Sequence, residues 1–118
     1  MLAASYEMSF IVSLIITLIV ELPVAFLILE KILKIRKKSW DVLLTGLVAS
    51  CLTLPYLWFI IPSFVNTAIS YIILGETFAI LVESLIYAKF LKIGIKNALF
   101  LSAIANISSF IVGWFLFW

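Results

Sequence analysis

The sequence predicts an all-α integral membrane protein: four transmembrane helices, read as two repeated helical hairpins, in a single membrane domain spanning residues 1–118. Three observations carry that expectation. Apolar residues make up 66% of the 118 and charged residues 12%, with a mean hydropathy of +1.33, whereas soluble domains are about half apolar and a quarter charged. The apolar residues fall into four runs of roughly twenty, the length that crosses a hydrocarbon core of about 30 Å at about 1.5 Å per residue. All 8 basic residues lie in two of the three short connections between those runs.

The first span covers residues 9–29, with Glu21 near its centre and Pro23 just beyond it. The opening MLAASYEMSF has no basic n-region and no small-residue cleavage site follows, so this span is expected to remain as a helix and not to be removed as a signal peptide. The connection KILKIRKKSWD carries Lys31, Lys34, Arg36, Lys37 and Lys38. Span two, residues 42–61, brings the small and polar strip Thr45, Gly46, Ala49, Ser50 and Thr53, followed by Pro55. After the connection IPSFVN, span three covers residues 65–88 and holds Glu76 and Glu83. Seven residues are close to two turns, so these acids share a face roughly 10 Å apart along the axis. Ile80 and Tyr87 complete that face, and a Tyr87–Glu83 hydrogen bond is expected. The third connection, KFLKIGIK, carries Lys89, Lys92 and Lys96. Span four, residues 97–118, presents Ser102, Asn106, Ser109 and Gly113 at alternating steps of four and three. Connections this short make consecutive helices antiparallel neighbours.

The basic connections set the expected orientation. By the positive-inside rule residues 30–41 and 89–96 face the cytoplasm and both termini lie outside the plasma membrane. Trp40 and Tyr87 are then expected at the inner boundary, with Tyr6, Trp58, Phe64, Trp114 and Trp118 near the outer one, where amphipathic rings anchor. Topology accounts for the basic runs without a nucleic-acid partner; the partner is the lipid bilayer. There is no histidine, and the single cysteine, Cys51, sits in an apolar run, so disulfides, CxxC redox chemistry and His/Cys metal sites are set aside and no cofactor is expected.

The acids carry the functional signal. Glu7, Glu30 and Asp41 lie at span ends, and Glu30 is placed to pair with Lys34 one turn on. Glu21, Glu76 and Glu83 lie inside spans. On an insertion scale two mid-helix acids cost roughly 5–7 kcal/mol, against roughly 3–6 returned by the aliphatic and Phe residues of span three. That span needs partner helices, a proton or a cation. No Lys or Arg lies at that depth, so the carboxyls are expected to be neutral acids, to hold a cation, or to meet polar groups of a second chain. Ser50, Thr53, Ser102 and Ser109 supply supporting hydroxyls at the same depth, and Asn106 is expected to bond Glu21 or Glu76. Close helix packing also explains a stripe of small residues. Pro23 and Pro55 cannot donate to the carbonyls of Ile19 and Cys51, leaving two mid-span oxygens as further ligands for a hard cation. Which metal, if any, is left open.

The halves of the chain resemble each other. A displacement of 55 or 56 positions sets Glu21 beside Glu76 or Thr77 and DVLLTGLVASCLT beside NALFLSAIANISS, and the basic runs KILKIRKK and KFLKIGIK correspond. Spans one and three run the same way, so the repeat is expected to be parallel, about a pseudo-two-fold along the membrane normal.

ELPVAFLILEK in span one, LVESLIYA in span three and ALFLSAIANISSFIVGW in span four resemble a group of small, uncharacterised prokaryotic four-span membrane proteins with an ELPV opening and an S-x-x-x-N-x-x-S-F-x-x-G ending. That group carries an Asn-x-x-Thr-x-Pro pattern in span two. Here Ser50 takes the asparagine's place, with Thr53 and Pro55 retained. The resemblance implies a whole-chain membrane family and supplies no activity.

Three function classes are consistent with these residues. The first is a proton- or cation-coupled transporter or channel, a homo-oligomer because four helices scarcely enclose a pathway, with Glu21, Glu76 and Asn106 as the ion or proton site and Glu83 as a relay toward the cytoplasm. The second is an accessory subunit of a larger membrane complex whose buried acids bind partner helices. An intramembrane enzyme with paired carboxyls ranks last, since no nucleophile beside a base, phosphate loop or metal motif accompanies them.

Overall fold

The computed structural model describes residues 2–117, and all of its regular structure is helical. Helix α1 (Leu2–Leu27) continues into a π-helical turn, Ile28–Ile32. Helix α2 (Ser39–Pro55) continues into a second π-turn, Tyr56–Ile60, and a 3₁₀ turn, Ile61–Ser63. Helices α3 (Ala68–Leu91) and α4 (Ile95–Phe117) complete the chain. Four stretches, Tyr6–Ile32, Ser39–Ser63, Ala68–Leu91 and Ile95–Leu116, are long and apolar enough to cross a membrane. The bundle measures 45 × 23 × 22 Å, and its long axis matches a bilayer with its headgroups, about 40–45 Å. Trp118, expected at the outer boundary, lies outside the described residues.

Each helix packs on its neighbours in sequence and α4 closes against α1, so the order around the bundle is α1, α2, α3, α4. Helix α1 therefore faces α3 across the centre, and α2 faces α4. Helix α3 begins three residues later than expected because Thr67 is its N-cap, accepting from the Ser70 backbone N–H at 3.1 Å. It also ends later, at Leu91, where Lys92 takes the left-handed conformation with φ 55° and its N–H caps the Ala88 carbonyl. The middle of α3 thus falls midway between Glu76 and Glu83 and not at Glu76.

Lys34 also takes φ 55°, after the π-turn that ends the first helix. The helical i to i+4 geometry expected to join Glu30 and Lys34 is therefore absent. The displacement between these two lysines, each at the end of the first helix of its hairpin, is 58. The following helices start at Ser39 and Ile95, a displacement of 56, because the first connection is two residues longer.

Burial follows this double register. On α2, Val42, Thr45, Ala49 and Ser50 are buried, and a shift of 56 gives Ala98, Leu101, Ala105 and Asn106, all buried on α4. On α1, Glu21, Ala25 and Leu29 are buried, and a shift of 58 gives Ala79, Glu83 and Tyr87, all buried on α3. Glu21 is thus matched by Ala79 and Glu83 by Ala25, one helical turn apart. Its expected counterpart, Glu76, arose from carrying the shift of the second helices over to the first.

Two cores divide the length of the bundle. At the end of the basic connections, Ala25, Ile28, Leu29, Val42, Tyr87 and Leu101 belong to one packed cluster. Tyr87 is 0% exposed there, a correction to its expected boundary position: it faces inward on the same stripe as Glu83. At the opposite end Leu54, Leu57, Ile61 and Ala79 form a smaller cluster. An aromatic seam joins α1 to the end of α2 at that end: Phe10 meets Trp58 and Phe59 with ring centroids 5.8 and 5.0 Å apart. The Tyr6 hydroxyl donates to the Trp58 carbonyl.

Candidate functional site

Between the two cores, side chains from all four helices meet in one polar layer. Glu21 and Glu83 are each 2% exposed, on α1 and α3, which face each other across the bundle. Their carboxyl groups are neighbours in this layer, close enough for each to bear on the other's charge. Glu21 Oε1 accepts from Ser50 Oγ at 3.3 Å and its Oε2 from Ser109 Oγ at 2.5 Å. Glu83 Oε2 accepts from Thr53 Oγ1 at 2.7 Å and its Oε1 from Asn106 Nδ2 at 3.3 Å. Asn106 also donates to the Ser102 carbonyl at 2.9 Å and to Ser102 Oγ at 3.2 Å, while Ser102 donates to the Ile80 carbonyl at 2.8 Å. The shift of 56 that relates α2 to α4 turns Ser50 into Asn106 and Thr53 into Ser109. The residues that hold one carboxyl are therefore the counterparts of those that hold the other.

Hydrogens are scarce in this layer. Thr53 has one hydroxyl hydrogen and two acceptors, Glu83 and the Ala49 carbonyl at 3.0 Å. Ser109 has one hydrogen for Glu21 and for the Asn106 carbonyl at 3.0 Å. Two ionised carboxylates side by side offer acceptors only. A hydrogen or cation between the carboxyls settles their approach, and a carboxylic acid donating to either hydroxyl frees that hydroxyl for its carbonyl.

Several sequence expectations change here. Asn106 donates to Glu83 and not to Glu21 or Glu76, because α4 meets α3 at the depth of Glu83. The Tyr87 hydroxyl does not reach Glu83: it is buried without a hydrogen-bond partner, in the interior where Gly46 brings α2 close to Leu22. Glu83 stands in the same buried layer as Glu21. Glu76 is half-buried, its Oε1 has no partner, and it lies on the wall of a cavity.

That cavity, about 630 Å³, lies on the side of the pair away from the basic connections. Glu21, Glu76, Asn106 and Ser109 line it at the depth of the pair, and Tyr6, Trp58, Pro62 and Trp114 line it near the helix ends. Along α1 its wall is Ser9, Ser13 and Thr17 leading to Glu21, about 18 Å of helix. These three hydroxyl residues did not figure among the sequence candidates. The signal is present in the sequence: four polar residues in regular steps of four, ending on the acid. Gly113, part of the expected packing stripe on α4, also lines the cavity, and a Cβ built there meets nothing within 4 Å. Its smallness leaves space open and does not bring helices together. Toward the basic connections the interior is filled by the cluster around Ala25, Leu29, Tyr87 and Leu101.

The arrangement is thus a cavity, the vestibule, in the half of the bundle away from the basic connections, with Glu21 and Glu76 on its wall and Glu83 behind it in the polar layer. No family model, no curated protein and no solved structure matches the chain.

Proposed function

We propose that the protein is a small multi-pass membrane transporter or channel, coupled to a proton or a cation, with Glu21 and Glu83 as its central site and Glu76 at the cavity wall. The observation that carries this reading is the meeting of two buried carboxyls from facing helices, without a basic partner in the spans, beside a cavity lined by Glu21 and Glu76. Intramembrane acids of this kind mark ion paths and proton relays. The positive-inside rule puts the basic connections in the cytoplasm, so the vestibule lies toward the outside. The chain is a duplicated hairpin in this reading, supported by the matched burial of α1 with α3 and of α2 with α4. Transport then requires the packed inner half to open, or a path at the interface of a homo-oligomer.

The accessory-subunit reading places the acids against a partner helix. Glu21 and Glu83 instead find their donors within the chain, which favours a site complete in one copy. The test is flux. Purified protein in liposomes, given a proton or Na⁺ gradient, is expected to dissipate it, and Glu21→Gln and Glu83→Gln are each expected to abolish the flux while the variants remain folded. Absence of flux for both ions in either direction, or unchanged flux in both variants, overturns the proposal.

A further inference from the structure

The vestibule is larger and more aromatic than a site for a proton or a bare metal ion needs. A metal cation is held by oxygens about 2.0–2.6 Å away, whereas this cavity encloses about 630 Å³, within the range of sites for small organic molecules, about 300–1,000 Å³. Its outer part is walled by Tyr6, Trp58, Tyr71, Phe110 and Trp114. The hydroxyls of Tyr6 and Tyr71 are already committed to the carbonyls of Trp58 and Leu57, the second at 2.7 Å, so these residues bring rings to the cavity and not free donors. The charged groups on the wall are the acids Glu21 and Glu76. Glu21 is satisfied by Ser50 and Ser109, but Glu76 Oε1 is shielded from solvent and has no hydrogen-bond partner. Aromatic rings attract cations through their faces, and a half-buried carboxyl group on the wall that no donor within the chain satisfies attracts one as well.

We propose that the vestibule binds an organic monocation, an ammonium with an apolar body, whose charge meets Glu76 and whose body packs among Tyr6, Trp58, Tyr71, Phe110 and Trp114. This names the substrate class of the transporter reading and rests on it for its physiological sense, though the binding itself does not require transport. Ile72, Phe110 and Trp114 also line a second, apolar groove of about 350 Å³ on the outside of the bundle between α3 and α4. The wall between vestibule and lipid is thus one layer of side chains there, and an apolar cation dissolved in the bilayer has its shortest way in between these helices.

The test is equilibrium binding of benzyltrimethylammonium to the full chain in detergent, by titration calorimetry against protein-free micelles. Neopentylbenzene, its uncharged isostere, and NaCl serve as comparison ligands. Saturable binding of the cation is expected, about tenfold weaker in Glu76→Gln and for the isostere, with NaCl competing only as general ionic strength. Gly113→Leu, which fills open space in the cavity, is expected to abolish binding while the protein stays monodisperse. Equal affinity for the isostere, unchanged affinity in Glu76→Gln, or binding that survives Gly113→Leu overturns the proposal, as does the absence of saturable binding. Ion flux that depends on Glu21 and Glu83 without ammonium binding defeats this inference alone. Ammonium binding without flux of either ion defeats the transport reading and leaves the binding site standing.

Discussion

At the scale of single residues, the polar layer separates groups the fold uses from groups it tolerates. Asn106 gives Glu83 Oε1 its amide donor, so Asn106→Leu leaves a buried acceptor short and is expected to destabilise the protein by about 1–3 kcal/mol. Tyr87 presents the opposite case. Its hydroxyl is buried with no partner, and Tyr87→Phe removes an unmet polar group while keeping the ring that fills the core. That variant is expected to be as stable as the parent or more stable by about 1 kcal/mol. Reversible unfolding in mixed micelles measures both, and a Tyr87→Phe loss as large as that of Asn106→Leu would show that the hydroxyl has a partner. The sequence made the midspan acids visible at once, because each is a charge in an apolar run. Which of them meet was not visible: it depends on where α3 starts and ends, and the observed bounds Ala68–Leu91 move its middle from the neighbourhood of Glu76 to midway between Glu76 and Glu83.

At the scale of elements, the helix ends and close approaches decide the register. Lys92 ends α3 in the left-handed region, φ 55° and ψ 48°, a conformation that a Cβ disfavours by about 1–2 kcal/mol and glycine adopts freely. Lys92→Gly is expected to raise stability by about 1 kcal/mol, read in the same unfolding assay; a decrease would show that the lysine side chain holds that end of the bundle. Gly46 and Gly113 look alike in the sequence, both in stripes of small residues, but differ in surroundings. A Cβ at Gly46 would run into Leu22 Cδ2, while one at Gly113 meets nothing within 4 Å. Gly46→Ala is expected to be less favourable than Gly113→Ala by about 1 kcal/mol, since the tip of the half-buried Leu22 side chain has to move at the first and nothing has to move at the second. Equal effects would contradict the different packing assigned to the two positions. Four helices and their order followed from hydropathy and loop length. The vestibule did not, because a cavity depends on which stripes fail to touch, and a stripe of small residues is the same in sequence whether it abuts a helix or open space.

At the scale of the whole molecule, the two ends of the bundle are unlike. One end is filled by the cluster around Leu29, Val42 and Tyr87 and carries the basic connections; the other holds the vestibule. With the basic end in the cytoplasm, a single cysteine introduced at Ser63 is expected to react with an impermeant reagent added outside intact cells, and one at Ser39 only after the membrane is opened; the reverse pattern would invert the orientation of the vestibule. The halves of the chain share a burial pattern yet place their acids one turn apart, which lets two glutamates on facing helices come together at one level. The meeting of Glu21 and Glu83 underlies both the transport reading and the division of the bundle into filled and hollow halves. A double-mutant cycle with Glu21→Gln and Glu83→Gln, followed by equilibrium unfolding in mixed micelles, measures it most directly. Interaction between the carboxyls predicts a coupling of about 0.5–3 kcal/mol between the substitutions, whereas effects that add to within about 0.5 kcal/mol would show two acids held independently, each by its own hydroxyl donors.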